Sequence, residues 1–446
     1  MSIDLPIAWY AERLQDRTTR GIALETTALI RSGAIPIGTR LPAVRDLAAV
    51  LDVSPATISA AWSQLRRFKV ISGTGRNGVW VCGDQVSLRP VRFETIGDFG
   101  GRIVADLTYA TPDPALLPPL ADALAAAAKT PDLNSYHRVP ITDRLKESAL
   151  ARWPYQPESL LAVNGGFEGV YATLQTLVMP GTVVAIEQPS SLRLLDILDS
   201  LGAQVLPVQC DEDGPMPDAL RAALRQKASI FLYQPRTHSI TATVVSAERM
   251  AALADVLQKS TTIVIEDDGV GDISRFPSIS LGKWFPERTV HIVSYSKTLG
   301  PDLRVAVLSG PEKIVREIRA YRNFGAGWTS RVMQDATAWL LDDPQTGQLV
   351  EQARNIYAAR RGALVDALQA RGMTTAGKDG LCVWVHVPSE QFALVTMAAR
   401  GIAVYPGSLC SVNNDTQHIR IATSLLTEHV DVVAEALALC QTGRGI

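Results

Sequence analysis

Over residues 1–82 apolar positions recur every three or four residues and then switch to strict alternation. TTRGIALETTALIRSGAI carries a helical stripe that stops at Ser32-Gly33. After the turn IPIGTRLP, AVRDLAAVLDV predicts a short helix with Leu47, Val50 and Leu51 on one face. Ser54-Pro55 is a strong helix start: a hydroxyl at the N-cap precedes a proline whose missing N–H costs nothing there. The helix ATISAAWSQLRRF would then bury Ile58, Trp62 and Leu65. VISGTGRNGVWVC alternates and turns at GTGRNG, which reads as a hairpin. Three helices followed by a hairpin predict a winged helix-turn-helix.

From Gly83 to Val104 the pattern dissolves, and residues 83–104 read as a linker. Beyond Asp106 the rhythm is strand, helix, strand. SLLAVN, TVVAIE, AQVLPV, ASIFLY, TTIVIED, TVHIVS and RVAVLSG are buried-strand candidates. Helical patterns such as EGVYATLQTLV and AERMAALADVLQK lie between several of them. This alternation predicts an α/β domain over 105–446, with a mostly parallel sheet and helices on both faces. From about residue 340 a long helix, QTGQLVEQARNIYAARRGALVDALQARG, precedes the short strands LCVWVHV, GIAVYPG and HIRIAT, which suggests a smaller C-terminal α+β lobe.

A length of 446 residues agrees with this multidomain reading. The net charge of −2 excludes a globally basic nucleic-acid binder, yet the charge is unevenly divided. Residues 1–82 hold ten basic and six acidic side chains, net +4, and the remainder is net −6. The five cysteines lack CxxC spacing, so neither a metal site nor a disulfide framework is expected. MSIDLPIAWYAERLQDR has no long apolar core after a basic start, and LADALAAAAK is too short to span a bilayer. A cytoplasmic protein without membrane association is the expectation.

In a helix-turn-helix the second helix enters the major groove through its first residues, here Ser54, Ala56, Thr57 and Ser59. Arg45 opens the preceding helix within reach of a phosphate, and Arg66, Arg67, Lys69 and Arg76 add charge near the groove helix and wing. The alternative is a small helical domain that binds protein, with these arginines as solvated surface. GTRLPAVRDLAAVLDVSPATISAAWSQL resembles the GntR-type winged-helix signature over nearly its whole length. That resemblance implies a double-stranded DNA operator as partner. Pro55 departs from it, standing where the family usually has arginine.

In SYSKTLGPDLR, Lys297 lies just past a buried strand. A lysine desolvated there loses basicity and becomes a nucleophile toward aldehydes. Pyridoxal phosphate is the commonest such cofactor, and it needs a phosphate cradle, an acid at its ring nitrogen and support for its ring. Asn164-Gly165-Gly166, between a strand and a helix, lets backbone N–H groups approach an anion, with Phe167 next in line. Ser294, Ser296 and Arg304 flank the lysine and could complete the cradle, while Asp267 ends the strand IVIED. Each piece alone is weak: a Gly-Gly before a helix is usually a turn, and an acid at a strand end is often a cap.

Together, over residues 106–446, they resemble the fold-type I aminotransferases, with SYSKTLGPDLR as the most specific piece. The resemblance implies that Lys297 joins the cofactor covalently, that Asp267 pairs with the ring nitrogen, and that Gly165, Gly166, Ser294 and Arg304 hold the phosphate. It implies further that Arg420 grips a carboxylate of the effector and that Tyr136 reaches the phosphate of a neighbouring subunit, which requires a dimer. Three positions depart from the family. Ser191 replaces a ring-stacking aromatic, Ser239 replaces an asparagine that bonds the ring oxygen, and Gly269 replaces a common aromatic partner.

A GntR-type headpiece joined to an aminotransferase-like body resembles the MocR regulators. The implied protein is a transcription factor, a head-to-tail homodimer, that binds pyridoxal phosphate, with or without an amine, and governs vitamin B6 or amino-acid and amine metabolism. Two alternatives stay open at this point: a working aminotransferase, and a regulator whose site no longer takes the cofactor.

Overall fold

The computed structural model describes residues 5–31, 33–67, 70–73, 78–82, 92, 103–131, 133–413 and 416–442. They form two compact units, one in the N-terminal 90 residues and one built on the rest.

The N-terminal unit contains α1 (Ile7–Ala11), α2 (Thr19–Arg31), β1 (Arg40–Leu41), α3 (Val44–Leu51), α4 (Pro55–Arg67), β2 (Ile71–Ser72) and β3 (Val79–Val81). β3 pairs antiparallel with β2, as the hairpin reading expects, and also with β1. The Ser54 hydroxyl accepts the Thr57 N–H at 3.1 Å and so caps α4. Asp52 closes α3 in the left-handed region (φ 55°), a conformation its short polar side chain tolerates, and this makes the tight turn between the two helices.

Ile58, Trp62 and Leu65 are buried as predicted. Val50 is not: it is 50% exposed, and Ala48 takes its place beside Leu47 and Leu51. At 100° per residue, Val44, Leu47, Ala48 and Leu51 make one stripe that leaves Val50 to the side. α1 has no counterpart in the predicted pattern. It seats Tyr10 in the core, stacked on Trp62 with ring centroids 6.5 Å apart, and Tyr10 Oη lies 2.5 Å from Thr26 Oγ1.

All seven strand candidates of the body fall in one eight-stranded sheet. It comprises β5 (Ser159–Val163), β6 (Val183–Gln188), β7 (Gln204–Asp211), β8 (Gly214–Pro215), β9 (Ile230–Tyr233), β10 (Ile263–Asp268), β11 (Thr289–Ser294) and β12 (Ala306–Gly310). Their order is β5-β12-β11-β10-β9-β6-β7-β8. β12 and β8 run against the other six. The apolar runs arise because helices cover the sheet on both faces. These are α5 (Ala121–Ala127), α6 (Asp143–Leu150), α7 (Gly166–Leu177), α8 (Leu192–Ser200), α9 (Pro217–Arg225), α10 (Ala247–Leu257), α11 (Glu312–Arg322) and α12 (Arg331–Asp342).

The long α13 (Pro344–Gln369) leads into the smaller lobe, where β13 (Thr375–Ala376), β14 (Cys382–His386), β16 (Tyr405–Pro406) and β17 (His418–Ala422) form an antiparallel sheet. α14 (Glu390–Ala398) and α15 (Val430–Thr442) complete the lobe. It also recruits β4 (Ala105–Asp106), which pairs in parallel with β15 (Ile402–Ala403), and Leu107 joins its core with Val383, Ile419 and Leu437. Most of the segment read as a linker lies outside the described residues. Within it, Arg92 donates to Asp196 from its backbone N–H (3.2 Å) and its guanidinium (3.1 Å). Among the described residues no helix is long and apolar enough to cross a membrane.

Candidate functional site

In the headpiece, Ala56 and Ser59 are exposed on the first turns of α4, and Arg45 is exposed on α3. Ser54 and Thr57 are partly committed to each other, with hydroxyls 2.8 Å apart. Lys69 and Arg76 lie outside the described residues. Arg40, which the sequence reading passed over, sits on β1 with its guanidinium 5.5 Å from the centre of the Trp80 ring. Arg40, Arg45 and Arg66 line one open groove with Val50 and Ser59, so the exposed Val50 belongs to a cationic surface rather than to the core.

In the body, the candidate residues gather at the carboxyl ends of parallel strands, where open α/β sheets bind ligands. Asn164–Gly166 follows β5, Ser191 follows β6, Ser239 follows β9, Asp267 ends β10, and Ser294 and Lys297 close β11. Gly165 caps α7 at φ 95°, which a side chain would not adopt easily. A Cβ on Gly165 would stand 2.7 Å from an Arg304 guanidinium nitrogen. One on Gly166 would stand 3.0 Å from Ser294 Cβ and 3.8 Å from Asp267 Oδ1. The two glycines therefore let Arg304, Ser294 and Asp267 pack close against the start of α7. Arg304 is steadied by its 2.8 Å bond to the Asn164 carbonyl. Glu168, in the first turn of α7, accepts the Asn164 N–H at 2.9 Å and pairs with Arg322 at 2.9 Å, which neutralises its charge beside the helix start.

Asp267 is buried and accepts one bond from the Gln234 amide, at 3.1 Å. Burial pushes its carboxyl up to about 6, against the opposing pull of Gln234 and the Lys297 charge. The same burial holds Lys297 below the ordinary lysine range, and the Arg420 charge pushes in the same direction. The Gln234 carbonyl oxygen in turn accepts the Ser239 N–H at 2.6 Å. Behind it, Glu187 takes the Gln234 N–H at 2.9 Å and faces His238 Nε2 at 3.3 Å. His238 Nδ1 accepts the Thr241 N–H at 3.0 Å, which leaves the Nε2 proton for Glu187. Gln234, Glu187 and His238 were not singled out from the sequence. For Glu187 and Gln234 the signal was the ends of the apolar strands β6 and β9; His238 carried none.

Arg420 comes from β17 of the lobe. Its guanidinium donates to the carbonyls of Thr108 (2.6 Å) and Ser239 (3.4 Å) and lies 3.9 Å from the Tyr405 ring centre. Cys382, one of the scattered thiols, is buried against Ser239 and Ile240 and senses both Arg420 and Lys297. Ser296 is half-buried, its N–H directed at the Ser294 hydroxyl at 3.4 Å. Phe167 carries the Arg193 guanidinium over its ring at 3.8 Å. Ser191 is buried, and Gly269 lies against the Asp267 carboxylate. Tyr136 is not brought into this crevice by its own chain: it is 85% exposed and touches Trp328 edge-on at 5.9 Å. Its loop is nonetheless fixed, with Arg331 donating to the carbonyls of Ser135 and His137.

Residues 104–437 match the family model for aminotransferase class I and II, and residues 18–81 match that for bacterial regulatory proteins of the gntR family. The chain is 32% identical over 410 residues to the vitamin B6 salvage pathway transcriptional repressor PtsJ of Salmonella typhimurium, covering 90% of this chain and 92% of that protein. It is 25% identical to the HTH-type pyridoxine biosynthesis transcriptional regulator PdxR of Corynebacterium glutamicum, with 91% of each chain covered. An archaeal alanine:glyoxylate aminotransferase superposes with a TM-score of 0.70 at 20% identity, over 78% of this chain and 92% of its own, a likeness of fold alone. The chain belongs to the MocR-type transcriptional regulators, in which a GntR-type winged-helix domain is fused to a class I and II aminotransferase domain.

Proposed function

We propose that this regulator binds operator DNA through its headpiece and pyridoxal 5′-phosphate through the crevice, and that cofactor occupancy sets its affinity for DNA. The observation that carries the reading is the cluster itself: Gly165 and Gly166 bring the start of α7 close to Arg304, Ser294 and Asp267, on the strand ends that bear Lys297. A buried carboxylate with a single amide donor suits a protonated ring nitrogen. When bound, pyridoxal phosphate supplies an aldehyde that joins an amine and a ring that withdraws electrons.

The α7 N-terminus, Arg304 and Ser294 would hold the phosphate, and the depressed basicity of Lys297 would keep its amine available. Arg420, already oriented by two carbonyls, would take the carboxylate of an amino-acid effector. Tyr136, exposed on a fixed loop, would reach a second copy in a head-to-tail dimer. Arg45, Ser54, Ala56, Thr57 and Ser59, with Arg40 and Arg66, would contact the operator. Regulation of vitamin B6 supply in the cytoplasm is favoured because the relatives above are named for vitamin B6 salvage and pyridoxine biosynthesis.

The switch would be linkage, and its size cannot exceed the cofactor's differential affinity for the DNA-competent and DNA-incompetent states. To test it, genomic fragments retained by the full chain are recovered and their affinity is titrated with and without pyridoxal phosphate. A change of about 5- to 150-fold is expected, the usual span of coupling. Superimposable titrations would sink the linkage, and retention without sequence preference would sink the operator.

A further inference from the structure

The wall of the crevice that lacks its aromatic at Ser191 is not empty of planar groups. Arg193, in the first turn of α8, lays its guanidinium 3.8 Å from the centre of the Phe167 ring. Phe167 directly follows Gly166, which packs against Ser294 and lies near Asp267. We propose that Arg193, seated on Phe167, is the planar support for the cofactor ring in this chain, and that its fixed charge opposes protonation of the ring nitrogen.

Guanidinium groups stack on flat π systems, which an ammonium does less well. The electrostatics agree with the placement. Partial burial first, and then the Arg304 charge, hold Arg193 below its ordinary basicity, while Asp267 and Tyr405 act the other way. Arg193 therefore feels the cation of the phosphate end, the acid of the ring-nitrogen end and the ring beneath Arg420. The other charges facing Asp267 are Lys297, Asp268 and Glu187, and Asp268 is tied to Arg236 at 2.8 Å. A cation against the ring face adds to Lys297 and works against Asp267. The site would hold the cofactor firmly while weakening it as an electron sink, which suits a sensor better than a catalyst.

This rests on the reading of the crevice as a pyridoxal phosphate site, so the test separates the two. The full-length protein is titrated with pyridoxal phosphate by visible absorbance, and the pH midpoint of the bound cofactor's band is recorded. Arg193→Gln removes both plane and charge; Arg193→Tyr restores a plane without charge. Arg193→Gln is expected to weaken binding about tenfold, the loss of one stacked, partly desolvated contact. Arg193→Tyr is expected to bind like wild type. In both variants the midpoint moves up, because the opposing charge is gone; a merely structural role would leave it in place. Wild-type affinity and midpoint in Arg193→Gln would overturn this inference while leaving the cofactor site standing. No band in the wild type would overturn the site reading itself.

Discussion

The two walls of the crevice are built differently. The phosphate-end wall keeps the residues that the chemistry asks for, packed so closely that a methyl group on Gly165 or Gly166 would meet Arg304 or Ser294 at 3.0 Å or less. The ring-facing wall has lost its specialised side chains to Ser191, Ser239 and Gly269. What remains there is a chain of bonds among other groups, from Asp267 through Gln234 to the Ser239 backbone, with Glu187 and His238 behind. If the crevice takes pyridoxal phosphate as proposed, the contrast separates holding the cofactor from controlling its electrons. A regulator needs the first and is better without much of the second.

Four substitutions probe that contrast, in falling order of effect. Gly166→Leu drives a side chain into Ser294 and forfeits several charge-assisted phosphate bonds, each worth about 1.5–3 kcal/mol, so pyridoxal phosphate affinity drops by roughly 100-fold or more in an absorbance titration. Asp267→Asn acts on stability. With its carboxyl near 6 when folded and about 3.9 when unfolded, the native chain binds the extra proton between those values. In the cofactor-free protein this one group costs no stability below about pH 4, and its cost grows as the pH rises to about 6 and is constant above. Asparagine removes this loss, so thermal or urea unfolding at neutral pH shows a gain on the order of 2–3 kcal/mol, beside weaker cofactor binding.

Arg304→Ala removes one exposed phosphate contact and weakens binding about tenfold, an effect that shrinks as salt is added. Ser191→Tyr adds a ring beside the plane that Arg193 is proposed to supply, so it is expected to crowd the wall and weaken binding by about 1 kcal/mol, roughly fivefold. If it instead tightens binding, the wall was open and Arg193 does not supply the plane.

The strands and the lysine segment were legible because their signals are local. Each buried run spells its own strand, and SYSKTLGPDLR carries lysine, serine and arginine within one turn-bearing stretch. What escaped depends on distant partners. The pairing of β4 with β15 joins residue 105 to residue 402, and no pattern in either segment announces the other. Val50 looked like core because an apolar residue near Leu47 and Leu51 normally is; the groove lined by Arg40, Arg45 and Arg66 is visible only once β1 and α4 are in place. Arg193 and Cys382 had no motif around them. Their placement comes from the docking of α8 on Phe167 and of β14 against the Ser239 loop.

The most direct test of the whole account is the visible spectrum of the purified protein titrated with pyridoxal phosphate, beside Lys297→Ala. The account predicts a saturable band in the wild type that Lys297→Ala does not form, with the variant still folded by far-UV circular dichroism. A wild type that forms no band, or an alanine variant whose band and affinity match it, would contradict the claim that Lys297 anchors a cofactor in this regulator.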